Sequence, residues 1–337
     1  MQLIKTPTKG MNDYLPRETR LREYVKGVII RAYEKSGFSM IETPAVEHIE
    51  NLTGKNGGDN EKLIFKIMKR GEKLNEAAGN DAELCDSGLR YDLTVPLSRY
   101  YANNQAKLPS PFMAMQIGNV WRADRPQKGR FRQFTQCDID ILGDSTQLAE
   151  ITLISATTGV LRELGFDNFT VRINDRRLLK VCADYCGFKP EDCDKVFITL
   201  DKMDKIGLDG VKRELVEEGF DEASVEKYVA LYENCDAVSV SEFAADRLGG
   251  NGADIAASLE SIMRCATAAT AGGCSLKFDP TLVRGMSYYT GTIFEISMDG
   301  YGYSVGGGGR YDEMLAKFSG QKTPACGFSL GFERIVA

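Results

Sequence analysis

After Pro16, apolar residues recur at three- and four-residue steps: Leu21, Tyr24, Val25, Val28, Ile29, Ala32 and Tyr33, with Gly37 just beyond. That spacing lines one face of an α-helix, and a glycine past the last periodic residue is a helix stop. FSMIETPAVE is extended but broken at Pro44, which suits a strand edge or an interface rather than a central strand. Residues 51–86 are rich in Gly, Asn, Asp, Lys and Glu around one apolar strand, LIFKIM, and read as an excursion with mobile loops. GLRYDLT and a helix from Val95 to about Asn103 come next. Two long strands, PFMAMQIGNVWR and RQFTQCDIDILG, follow, joined by the polar connector ADRPQKGRF. From Val171 to Gly273 the pattern changes to short helical runs separated by Gly, Asp and Pro. Strands then resume with SLKFDP, GTIFEISM, YGYSVGGGG and, after a short helix, PACGFSLGFERI. This order predicts an α+β fold: an antiparallel sheet flanked by helices (residues 1–170 and 274–337), interrupted by an inserted helical domain (171–273).

Composition narrows the class. The 337 residues carry 42 Lys+Arg against 48 Asp+Glu, a net charge of −6, with 43% apolar and 27% charged residues. Such a chain is globular rather than disordered, of two domains or one large one. A protein that coats nucleic acid would be basic, so any nucleic-acid contact here is local. No apolar run approaches the ~18 residues of a membrane span, and MQLIKTPTKGMNDYLP lacks a signal-peptide core, so the chain reads as cytoplasmic. The nine cysteines are odd in number and scattered, which argues against a disulfide framework. Cys182, Cys186 and Cys193 are not completed into a four-ligand set, and His48 is the chain's only histidine. Histidine triads and histidine-rich metal sites are thereby excluded. The chemistry must run on carboxylates, arginines, amides and tyrosines.

In the strand from Arg132 to Leu142, alternation puts Arg132, Phe134, Gln136, Asp138 and Asp140 on one face and Gln133, Thr135, Cys137, Ile139 and Ile141 on the other. An edge strand with a solvated polar face is the plain reading of that pattern. Against it stands the preceding run, in which Arg122, Arg125, Lys128, Arg130 and Arg132 face a single acid, Asp124. Guanidinium forks suit phosphate and carboxylate, so the hairpin reads as a polyphosphate clamp with Phe134 free to stack on a base. Downstream, TLVRGMSYYTGTIFE sets Arg284, Tyr288 and Tyr289 in a turn-to-strand context, and SVGGGGRYDEM holds four consecutive glycines. No Gly-Lys-Ser/Thr follows them and they open no βαβ unit, so neither a Walker loop nor a dinucleotide fingerprint fits. Close approach of the backbone to a ligand is the expectation.

KGMNDYLP, LRYDLTVP, the segment WRADRPQKGRFRQF through TQCDIDILG, LVRGMSYYTGTIFE, GGGGRYD and GFSLGFER occur in that order. Together they resemble the catalytic core of the histidyl-tRNA synthetases, a class II aminoacyl-tRNA synthetase family, over Gly10 to Ala337 outside the helical stretch. The likeness implies a class II antiparallel sheet and the formation of histidyl-adenylate from L-histidine and ATP with Mg²⁺, followed by transfer to tRNA(His). It makes Arg122 the arginine on the α-phosphate and the amino-acid carboxylate, and places Arg130 near the γ-phosphate. Phe134 becomes the base-stacking aromatic, with Arg334 on the other side of ATP. Asp92, Thr94 and Gln136 would surround the substrate α-amino group. Asp140, Tyr288 and Tyr289 would form the imidazole pocket, lined also by Tyr311. Arg284 would be the catalytic arginine. Attack of one anion on another needs fixed cations rather than a base, because the carboxylate is already ionised at pH 7. The helix after Arg20 and the segment through Pro44 match the motif that pairs class II subunits, so a homodimer is implied.

Two departures qualify the likeness. Ser287 stands where the family signature commonly has an acid, and the chain stops at Ala337 without the family's anticodon-binding domain. That ending is expected to leave histidine activation nearly complete and to weaken charging through a raised KM for tRNA. The histidine-sensing regulatory subunit of ATP phosphoribosyltransferase resembles the same core and also lacks that domain. It is the alternative, although Arg122, Arg130, Arg284 and Arg334 are all retained here.

Overall fold

The computed structural model describes residues 3–53, 62–80, 83–126, 130–235, 238–284 and 288–337. The first helix, Pro16–Lys35, begins on a proline, whose missing N–H costs nothing at that position. The Glu18 carboxylate accepts from the Leu15 N–H at 3.0 Å, and Gly37 leaves the helix at φ +91°. Val25, Val28, Ile29, Ala32 and Tyr33 are buried as their spacing predicts. Leu21 and Tyr24 are not: they belong to the periodic set but remain 48% and 64% exposed.

The strands, numbered along the chain, are β1 (Ser39–Met40), β2 (Val46–His48), β3 (Lys66–Met68), β4 (Cys85–Leu89), β5 (Phe112–Trp121), β6 (Gln133–Leu142), β7 (Phe169–Asp175), β8 (Ser275–Phe278), β9 (Thr292–Met298), β10 (Ser304–Arg310) and β11 (Ala325–Gly331). A large sheet has the order β1-β5-β6-β11-β10-β9-β7-β8, and β2-β4-β3 form a small one. With the helices on its faces this is the expected α+β architecture. The β5–β6 hairpin is antiparallel and in register from Phe112↔Leu142 to Trp121↔Gln133, whereas β1 joins β5 in parallel.

By compactness the chain divides into two units. One comprises Met1–Leu142, Met314–Lys322 and Ser329–Ala337; the other comprises Gly143–Glu313 and Thr323–Phe328. This partition cuts elsewhere than the sequence pattern does, because β7 to β10 group with the helical stretch. That stretch also begins later than expected: Val171 to Asp175 continue β7, and the first helix of the stretch is Arg176–Tyr185. Asp175 explains the boundary, since its carboxylate accepts from the Arg177 N–H at 2.8 Å and caps the helix. Within the stretch, Phe188, Tyr228, Tyr232 and Phe243 pack edge to face or tilted around buried Cys182 and Cys186. Burial pushes the Cys182 thiol up to about 12, so it serves as a packed apolar group.

Candidate active site

In the first unit, the face of β6 that carries Phe134, Gln136, Asp138 and Asp140 is half-buried at Phe134 and Gln136 and buried at the two acids. Asp138 and Asp140 are each only 4% exposed. Their partners across the hairpin are Gln116 for Asp138 and Ala114 for Asp140, with Gly118 opposite Gln136. Gly118 is required there: a Cβ would stand 2.4 Å from an Arg90 guanidinium nitrogen. Arg90 fills that space, donating to the carbonyls of Asn119 at 2.9 Å and Thr43 at 2.7 Å. The opposite face carries Thr135, whose N–H donates to Glu333, and Glu333 in turn holds Arg22 through both carboxylate oxygens.

Asp92 lies just before the helix Thr94–Asn104 and accepts from the Val95 N–H at 3.1 Å. Arg122 is anchored by donating to the Tyr91 carbonyl at 2.9 Å, and its guanidinium carbon sits 5.1 Å from the centre of the Phe134 ring. Gln136 donates from Nε2 to the Ser329 hydroxyl at 3.2 Å. Three buried acceptors on these residues have no hydrogen-bond partner: Asp92 Oδ2, Gln136 Oε1 and Asp138 Oδ1. Buried oxygens left unpaired are costly, so their clustering marks a place built for a donor. Asp138 is the member that sequence reading left without a role. Its only signal was parity with Gln136 and Asp140.

The five-cation run is only partly gathered. Arg132 donates to the Asp124 carbonyl and is strapped to Gly10, whose carbonyl accepts from its N–H at 2.7 Å. Arg125 and Arg130 are exposed, and Lys128 lies outside the described residues. Arg334 is on the terminal helix Phe332–Val336, directly after β11.

The second unit assembles Arg284 with the three tyrosines. Tyr288 stands 4.8 Å from Tyr289 and 6.0 Å from Tyr311, centre to centre. Arg284 adopts φ +60° and donates to Glu295 at 2.9 Å. The four glycines are not a loop but the middle of β10, and they admit neighbouring groups rather than flex. A Cβ on Gly307 would meet the Arg284 guanidinium at 2.4 Å, one on Gly309 would meet the Thr292 carbonyl of β9 at 2.5 Å and Tyr289 at 3.0 Å, and one on Gly308 would strike the Gly327 carbonyl of β11 at 2.0 Å. Ser287 lies outside the described residues.

Burial of carboxylates in the first unit has a consequence for stability. Burial first, then the neighbouring Asp140 charge, pushes the Asp138 carboxyl well above the usual range, while the Ser329 hydroxyl and Arg122 act the other way. Burial likewise raises Asp92, against its backbone hydrogen bonds and Arg122. A carboxyl raised in the folded state weakens folding as pH climbs from its ordinary value to the raised one. Asp138→Asn is therefore expected to raise the melting temperature of the ligand-free chain by a few degrees at pH 7.5 and much less at pH 4. An equal gain at both values would exclude a charge origin.

The family model described as histidyl-tRNA synthetase matches residues 10–335. The chain belongs to the histidyl-tRNA synthetase family. Among relatives, the histidine–tRNA ligase of Leifsonia xyli subsp. xyli (strain CTCB07) is 49% identical, over 98% of this chain and 79% of its own length. Among solved structures, histidyl-tRNA synthetase from Nostoc sp. PCC 7120 superposes with a TM-score of 0.83 at 28% identity, covering 99% of this chain and 75% of that one. An ATP phosphoribosyltransferase regulatory subunit/histidyl-tRNA synthetase from Bacillus halodurans C shares the fold, with a TM-score of 0.81 at 22% identity over 100% and 83% of the two chains. Family membership makes the motif-bearing arginines and the tyrosine group described above the residues to test first.

Proposed function

We propose that the chain is a histidine–tRNA ligase. A carboxylate oxygen of histidine attacks the α-phosphorus of MgATP, the bond to the bridging oxygen breaks, and pyrophosphate leaves with the electron pair. A terminal ribose hydroxyl of tRNA(His) then attacks the carbonyl carbon of the adenylate, and AMP leaves. The observation that carries this reading is the group of unpaired buried acceptors on Asp92, Gln136 and Asp138 beside Arg122. Acceptors without donors suit an ammonium group, and the adjoining guanidinium suits the carboxylate and α-phosphate of the same reaction. The relatives' names supply the amino acid and the tRNA.

In this reading Asp92, Thr94 and Gln136 hold the α-ammonium, and Asp140, Tyr288, Tyr289 and Tyr311 select imidazole. Arg122 holds the α-phosphate and the histidine carboxylate, Phe134 stacks on the base with Arg334 on the other side of ATP, and Arg130 lies near the γ-phosphate. Arg284 is the cation aimed at the transition state. Among the described residues no three His, Cys, Asp or Glu side chains are grouped to hold a metal. Mg²⁺ is assigned to the ATP phosphates on the chemistry of the step and enters as part of the substrate. Among the described residues no helix is long and apolar enough to cross a membrane, and the reading assigns the chain to the cytoplasm, where tRNA is charged.

The decisive assay is ATP–pyrophosphate exchange with each of several amino acids. Histidine alone is expected to support it, and exchange with none would favour the regulatory, histidine-sensing alternative. Within that assay Asp140→Asn is expected to raise the KM for histidine by at least tenfold and that for ATP by less than twofold, since a buried hydrogen-bonding pocket discriminates through its paired atoms. If both constants stayed at their parent values, the imidazole pocket would be misassigned.

A homodimer also belongs to this reading. Leu21 and Tyr24 on the first helix, with Leu15 just before it and Met40 and Val46 after it, are 43–70% exposed. Large apolar residues left exposed suit a surface that pairs with a second copy. Light scattering at micromolar concentration is expected to give twice the 37.2 kDa chain mass, and Tyr24→Glu to shift it toward the monomer. A monomeric parent would remove the proposal.

A further inference from the structure

Arg284 is held by a row of alternating charges that runs across three strands. Arg172 on β7 is directly opposite Glu295 on β9, and Glu295 is directly opposite Gly307 on β10. Arg284 Nη1 lies over Gly307, in space that any Cβ would occupy, and donates to Glu295 Oε2 at 2.9 Å. The other oxygen, Glu295 Oε1, is 3.5 Å from Arg172 Nη1. Arg172 also donates to Asp279 and approaches Asp204 at 3.9 Å. Asp279 accepts from the N–H and hydroxyl of Thr281 at 3.0 and 2.7 Å, while Asn174 on β7 donates to the carbonyls of Pro280 at 3.1 Å and Leu282 at 3.0 Å. The segment that delivers Arg284 is thus pinned to β7 at both its backbone and its acid.

We propose that Glu295 is a positioning residue for Arg284, and that Arg172 keeps Glu295 in place by sharing its charge between two guanidiniums. The inference rests on Arg284 acting as the transition-state cation. A free arginine side chain samples many rotamers, so a cation that must meet developing charge is effective only if something fixes its direction beforehand. Gly307 supplies the room and Glu295 the direction. Glu295 takes one N–H of the guanidinium at 2.9 Å and Tyr289 also hydrogen-bonds to it, and a fork of five N–H donors keeps others for a ligand. Asp201 adds a further negative charge near the pair: burial first, and then Glu295, raise its carboxyl, while Arg284 lowers it. The sequence signal was available, because Glu295 closes the TIFE segment that follows the two tyrosines, but only register shows that it faces Gly307.

Steady-state ATP–pyrophosphate exchange on the full chain tests this with Glu295→Gln, Arg284→Ala and the double variant. Glu295→Gln is expected to lower kcat by about 10–100-fold, the scale of a misplacement near 1 Å, with the KM for histidine and for ATP within about twofold. In the Arg284→Ala background the same change is expected to cost less than about twofold, because its effect passes through Arg284. Multiplying losses, or an unchanged kcat in Glu295→Gln, would overturn the proposal. Should Glu295→Gln not fold, Glu295→Asp and Arg172→Gln serve instead, with about 3–10-fold losses in kcat that likewise vanish without Arg284; parent-like rates in both would overturn it equally. Unchanged exchange in Arg284→Ala itself would instead defeat the functional reading on which the inference rests.

Discussion

Replacing Arg284 with alanine is expected to lower kcat for histidine-dependent ATP–pyrophosphate exchange by about 10²–10³, with the KM for ATP within about twofold. The size follows from what the step requires. Two anions are brought together and charge grows on the phosphoryl oxygens, so a cation already aimed at them lowers the barrier without reorganising. The surroundings of Arg284 suit such a cation, since φ is +60°, Gly307 has no Cβ to block the guanidinium, and Glu295 holds one edge at 2.9 Å. A lysine cannot reproduce this arrangement, because a point charge on a flexible stem lacks the planar fork. Arg284→Lys should therefore recover at most a small part of the rate. Exchange at the parental rate in Arg284→Ala would reduce the residue to a structural partner of Glu295.

Arg310 is expected to give the largest stability effect in the molecule, although it sits in the same glycine-rich motif. Its guanidinium clasps Glu150 with two hydrogen bonds of 2.7 Å and donates to the carbonyls of Asp144 and Thr146, both at 3.0 Å. Glu150 is 2% exposed, so Arg310→Met strands a carboxylate in the interior. Breaking such a pair from one side costs about 3–5 kcal/mol, whereas replacing both members by apolar groups can be neutral. Urea unfolding should show the loss in Arg310→Met and recover most of it in Arg310→Met/Glu150→Leu. A double variant no more stable than the single one would mean that the two backbone carbonyls, rather than the ion pair, dominate. The next residue, Tyr311, is tied to β11 by its own backbone, its N–H donating to the Ala325 carbonyl at 2.7 Å. Within GGGGRYD, then, one residue builds the fold and the next is a candidate for the site.

The helix after Pro16, the β5–β6 hairpin and the helix–strand alternation were legible because each depends on spacing within a dozen residues. Period two placed Phe134, Gln136, Asp138 and Asp140 on one face correctly, since alternation is a property of the backbone alone. The motifs likewise carried the family, because their order survives without any knowledge of contacts. The surroundings of that face were not legible. Ser329, on the neighbouring strand β11, reaches Gln136 from 193 positions away, and Asp138 and Asp140 are buried, neither of which alternation alone can show. For the same reason Leu21 and Tyr24, periodic with the core residues, could not be told apart from them: periodicity says which residues share a face, not how wide the neighbouring surface is.

The glycines show the division most plainly. Their run in the sequence declares only that side chains are absent over four positions. Tertiary structure decides that one vacancy admits Arg284, another Tyr289, and a third the backbone of β11. The sequence by itself determined the elements, the residue types available for chemistry and the family. Which carboxylates lose their water, and which acid pairs with Arg284, were decided by strand register and by contacts between residues far apart in the chain, because desolvation and charge pairing depend on distance in space and not on position in sequence.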